Sequence, residues 1–74
     1  MKLPYQKVQE SLTDEQDQFL RMHFHTARAA VGNAWYDRVK WLLDWFFKTY
    51  PDFPHSRTAL YKWCDCCLRE LHPE

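Results

Sequence analysis

The stretch Trp35-Tyr36-Asp37-Arg38-Val39-Lys40-Trp41-Leu42-Leu43-Asp44-Trp45-Phe46-Phe47-Lys48-Thr49-Tyr50 decides the fold. Turned by 100° per residue, it gathers Trp35, Val39, Leu42, Leu43, Phe46 and Tyr50 on one wide apolar face. Asp37, Arg38, Lys40, Asp44 and Lys48 interrupt the run, so it reads as an amphipathic helix over about 34–50 and not as a membrane span. A face this wide needs other elements to cover it.

Those elements lie on either side. Downstream, Pro51-Asp52-Phe53-Pro54 blocks continuation and makes a stiff turn. Ser56 then caps a helix that runs to about Leu71 and stops before Pro73. Its inward set is Leu60, Trp63, Cys64, Cys67, Leu68 and Leu71. Upstream, Gly32 supplies a left-handed stop and Asn33 a cap for the central helix. The helix before that stop begins at Thr13, where Thr13-Asp14-Glu15-Gln16 fits a capping box with acids in the first turn. It runs to about Val31 and carries the stripe Leu20, Phe24, Ala27 and Val31, flanked by Phe19, His23 and Ala30. Residues 1–11, short and polar with Pro4 inside, read as an extended arm with no hydrophobic signal segment. The expectation is an all-α domain over 12–74. Its form is a small three-helix bundle, or a helical hairpin plus one helix that completes its core by dimerising.

The totals agree with that class. Seventy-four residues suffice for one domain, and aromatic residues at 18% supply core volume that a short chain needs. A single glycine argues against an all-β chain with many tight turns. Ten basic and ten acidic residues balance to a net charge of zero. That lowers the expectation of nucleic-acid binding, which draws on a basic excess, and it offers little resistance to self-association.

Two residues do not fit a pure core. Trp41 and Trp45 sit one turn apart and point away from the main stripe of their helix, toward Asp37, Asp44 and Lys48. Indoles on a polar side are costly to leave wet. Either the preceding helix or the N-terminal arm packs over them, or they form a partner-binding or dimer surface with Lys48, since tryptophan is favoured at interface hot spots. Asp44 and Lys48 are also spaced as an i,i+4 ion pair.

Chemistry-bearing patterns are sparse. Cys64, Cys66 and Cys67 form no spaced disulfide framework, which fits free thiols in a reducing cytoplasm. Cys64 and Cys67 face one side of their helix, and with His23 they are weak candidates for a metal site. Their spacing matches no standard zinc motif, so no metal or cofactor is expected. No Gly-rich phosphate loop, nucleophile elbow or oriented Cys/His pair is present, so no catalytic residue is assigned and no small-molecule substrate is expected.

The segment Ser56-Arg57-Thr58-Ala59-Leu60-Tyr61-Lys62-Trp63 resembles the recognition helix of helix-turn-helix proteins. The resemblance implies that Arg57, Thr58, Tyr61, Lys62 and Arg69 line an outward face suited to a DNA major groove, with Leu60 and Trp63 as inward anchors. It covers about one helix. The chain departs from the pattern where Pro51-Asp52-Phe53-Pro54-His55 replaces the short Gly-containing turn, and where Asp65 sits on the outward face. The functional expectation is therefore a small, non-enzymatic, cytoplasmic regulatory or adaptor protein. It would act by binding another protein or itself as a homodimer, in general outline like small inhibitors of phages or mobile elements. The alternative is a helix-turn-helix DNA-binding regulator using helix 56–71.

Overall fold

Pro4 starts a helix instead of holding the chain extended. The computed structural model describes residues 4–72, and within it Pro4–Ser11 forms α1. Proline is well suited to the first helical position, where its missing N–H would have no partner anyway. The extended arm expected over 1–11 is thereby corrected for 4–11; residues 1–3 lie outside the described residues. Tyr5, Val8 and Leu12 recur at i, i+3 and i+7 and turn toward the core, and Val8 is fully buried.

The three expected helices follow as α2 (Asp14–Val31), α3 (Trp35–Thr49) and α4 (Arg57–Cys67), with a closing 3-10 turn over Arg69–Leu71. Among the described residues there is no strand, and the fold is all-α. The capping box at the start of α2 forms as the residues imply. Thr13 Oγ1 accepts from the Gln16 backbone N–H at 3.1 Å, and Gln16 Oε1 accepts from the Thr13 N–H at 3.0 Å. Ser56 caps α4 in the same way, accepting from the Ala59 N–H at 3.2 Å.

Residues 32–34 reverse the chain between α2 and α3, which pack as antiparallel neighbours. Gly32 holds φ 94° and ψ −169°, a positive-φ extended conformation essentially closed to side-chain-bearing residues. Its N–H still closes the helix on Arg28 O at 3.0 Å. Asn33 does not cap α3, as Ala34 occupies that position. The Asn33 Oδ1 instead accepts from Arg38 Nη1 at 3.0 Å.

Arg38 is the second departure from the sequence pattern. Its side chain is only 1% exposed, lies over the Phe24 ring at 3.8 Å, and donates from Nη2 to Phe24 O at 2.8 Å. Burial and the nearby charge of Arg28 draw its pKa below the usual guanidinium value. A cation is thus spent on fastening α3 to α2.

One buried cluster draws on all four helices: Val8, Leu20, Phe24, Val39, Leu42, Leu43, Phe46, Leu60, Trp63, Cys64 and Leu68. α1 packs against α4, where Trp63 Nε1 donates to Gln9 Oε1 at 2.8 Å. The core therefore closes within one chain, with α1 adding cover to the three helices the sequence marked. The end of α1 and the closing turn are tied to the connecting turns. Ser11 Oγ donates to Lys7 O at 3.2 Å and lies 2.8 Å from His55 Nε2, so the imidazole supplies the hydrogen there. His72 Nε2 donates to Asn33 O at 2.8 Å. Val31, expected in the α2 stripe, is 40% exposed, because α2 ends there and nothing overlies its last turn.

Phe46 sits among the rings of Phe19, Phe47, Tyr50 and Phe53, all with centroids within 6 Å. Phe46→Ala is expected to cost about 3–5 kcal/mol, read from chemical denaturation. Gly32→Ala meets no steric obstacle at its Cβ. Its expected loss of about 1–3 kcal/mol would come from backbone strain alone, and an unchanged denaturation midpoint would contradict the turn geometry.

Candidate protein-binding surface

Asp37, Trp41, Asp44 and Lys48 recur at i, i+4, i+7 and i+11 and so share one strip along the outside of α3. Trp45 flanks this strip on the side of α2. Its indole meets His23 edge-on with centroids 4.2 Å apart, and Phe19 at 5.6 Å. Trp41 and Trp45 make a T-shaped pair at 5.1 Å. His23 is itself fixed, stacked on Phe19 at 4.0 Å and donating from Nδ1 to Phe19 O at 2.8 Å.

α2 therefore supports one side of Trp45 but leaves it 37% exposed, and Trp41 is half-buried. α1 packs on α4 and not over these rings. Trp41, Trp45 and Lys48 come together around a surface groove with Asp44 and Thr49. A neighbouring depression shares Trp41 and Asp44 and extends to Val31, Asp37 and Lys40. The three residues singled out in the sequence are thus brought into one place, on a rigid element.

The charges around the groove are not paired as their spacing implied. Asp44 does not bridge to Lys48. It is held by Arg57 from α4, with Nη1 to Oδ1 at 2.6 Å. Tertiary structure offers Asp44 a guanidinium already positioned by a second bond, Arg57 Nη2 to Lys40 O at 3.2 Å. Neither Asp37 nor Lys48 makes an ion pair among the described residues.

The residues implied by the helix-turn-helix resemblance are placed differently. Arg57, Thr58, Tyr61 and Lys62 line a groove between α3 and α4 together with Tyr36, Lys40, Leu43 and Asp65. Arg57 is committed to Asp44. Arg69 lies apart from this groove, stacked over Trp35 at 4.2 Å and bonded to Asp65 at 2.8 Å. Thr58 and Lys62 are exposed, whereas Tyr61 is half-buried and leans on Tyr36 at 6.4 Å.

The metal candidates are not assembled. Among the described residues, no three His, Cys, Asp or Glu side chains gather as a ligand set. His23 belongs to the tryptophan cluster. Cys64 is a core residue whose thiol pKa is pushed far up by burial. Cys67 is half-buried, and its pKa is raised by burial against the opposing pull of Arg21. No helix is long and apolar enough to cross a membrane among the described residues.

The sequence already set Asp37 beside the two tryptophans through the 37–41–44–48 spacing, but it did not mark Val31 as part of this surface, nor Phe19 and His23 as its supports. Contacts between α2 and α3 carry no such local mark. Comparison of the chain with protein-family models, with curated proteins and with solved structures found no match.

The three thiols differ enough in setting to test the orientation of α4. Cys66 is exposed, Cys67 half-buried and Cys64 buried. Alkylation of the native protein followed by mass spectrometry is expected to modify Cys66 first and Cys64 only after denaturation. Equal rates at Cys64 and Cys66 would contradict the inward face assigned to α4.

Proposed function

We propose that this chain is a small regulatory or adaptor protein that acts by binding another protein through the outer face of α3, with no reaction of its own. The observation that carries the reading is the Trp41–Trp45 pair. Two large rings are held in a fixed T-shaped arrangement, supported from below by Phe19 and His23, and are left partly open to water. The core closes without them, so their exposure answers no packing need. Rigid indoles lose little conformational entropy on binding, and central aromatic anchors carry much of an interface's energy. The rim of Asp37, Asp44, Lys48 and Thr49 has the polar composition that surrounds such anchors. The proposed setting is a reducing cytoplasm, where three unpaired thiols persist.

The DNA-binding reading has less support. Arg57 and Arg69 are the cations best suited to base edges and phosphates, and both are engaged by carboxylates. A protein that binds phosphates also loses affinity steeply as salt rises. Retention on duplex DNA with such a salt dependence would favour that alternative over the α3 face.

Among the described residues Trp41 makes a ring contact with Trp45 alone, so its removal should leave the fold standing. In cross-linking capture from host extract, Trp41→Ala is expected to lose the proteins retained by the parent chain, with a circular-dichroism melt little changed. Trp45→Ala should lose them too, and should also destabilise the fold by about 1–3 kcal/mol through its contacts with α2. Undiminished capture by both variants would refute the assignment of the surface.

A further inference from the structure

The inference rests on the reading of α3 as a protein-binding face and names what occupies it. We infer that the outer strip of α3 pairs with the same strip of a second copy, antiparallel and about a two-fold axis.

Asp37 is at one end of the strip and Lys48 at the other, roughly 16 Å apart at 1.5 Å of rise per residue. Both are exposed, and neither has an ion-pair partner among the described residues. Between them lies Trp41, with Trp45 alongside. The remaining charge in the strip, Asp44, is neutralised by Arg57 at 2.6 Å. It therefore does not oppose the approach of its own counterpart.

A strip with an acid at one end, a base at the other and indoles in the middle is complementary to itself in one direction only. Parallel pairing sets Asp37 against Asp37 and Lys48 against Lys48. Antiparallel pairing about a two-fold near residues 42–43 sets each Asp37 against the other chain's Lys48, twice over, as an isologous interface requires. The same axis brings both Trp41 rings to the centre and both Trp45 rings to one side of it, so the exposed aromatic surface of each chain covers that of the other. The two Lys40 side chains fall on the opposite rim, in water, where like charges are screened. The net charge of zero leaves no general repulsion between copies.

The test is sedimentation velocity over a concentration series at low salt, with circular dichroism as a check on folding. The parent chain is expected to shift with concentration toward twice its 9.1 kDa mass. Asp37→Lys alone and Lys48→Asp alone each replace two attractive contacts with two repulsive ones. Each is expected to weaken association about tenfold, since exposed ion pairs are individually weak. The double variant carrying both changes should regain the parent's association. So should an equimolar mixture of the two single variants, now as a heterodimer. Recovery in both cases excludes misfolding as the cause of the loss. A parent chain that stays monomeric at every concentration overturns the inference. So do single variants that associate like the parent, or a mixture that fails to recover. If the parent is monomeric and Trp41→Ala still abolishes capture of a different protein, the α3 face stands as a binding surface and only the second copy is rejected.

Discussion

Trp63 is the residue that the rest of the packing is built to cover. Its indole sits at the middle of α4, fully buried, in a chain with very little material to spend on covering it. A ring of this size excludes water only if it is enclosed on several sides, and its N–H must find an acceptor in there. α1 provides the acceptor through Gln9, and α2 brings the Arg21 guanidinium to within 5.8 Å of the ring centroid. Arg21 is fixed in turn by Asp17 at 2.6 Å and reaches Glu70 in the closing turn at 3.4 Å. The side chains around one indole thus tie α1 and α2 to α4 and the closing turn, across a long separation in sequence. An eight-residue helix such as α1 is not stable alone in water, so its existence depends on this contact.

A second constraint works where α2 turns into α3. Burying the Arg38 cation is costly unless its hydrogens are met. Phe24 O and Asn33 Oδ1 each accept one of them and the guanidinium lies over the Phe24 ring, while Nε is buried without a hydrogen-bond acceptor among the described residues. Together with the positive-φ turn at Gly32 and the His72 bond to Asn33, this fixes how α3 lies on α2. The consequence reaches the surface. Phe19 and His23 come under Trp45 because α3 is held at that position and rotation, so the aromatic pair is presented by a rigid support and not by a loop.

The candidate surface is therefore what the packing leaves over. Once the inward faces of four helices are used, α3 still carries two indoles for which the described residues offer no further helix. Around them the charges are distributed by tertiary contacts: Asp44 is removed from the local balance by Arg57, while Asp37 and Lys48 are left at the two ends. A small protein can present such a strip, because an interface needs a firm aromatic centre and a compatible rim more than it needs depth.

Much of this was legible in the residues themselves. The 3.6-residue period marked α2, α3 and α4, Thr13 and Ser56 marked two of their beginnings, and Gly32 and Pro51 marked two of their ends. These signals are local: a cap or a helical stripe depends on residues within a turn or two of one another. The same locality showed that Trp41 and Trp45 leave the apolar stripe. What the sequence alone did not decide is what met what. Pro4 reads as part of an extended arm, yet it starts a helix that packs on α4. Arg38 reads as a surface charge until Phe24 and Asn33 converge on it. Asp44 has Lys48 one turn away, yet pairs with Arg57, which only the approach of α4 supplies. Local periodicity determined the helices and their faces. The partners of buried charges, the helicity of the first segment and the charge pattern of the exposed strip depended on residues far apart in the chain, and those only the tertiary structure brings within bonding distance.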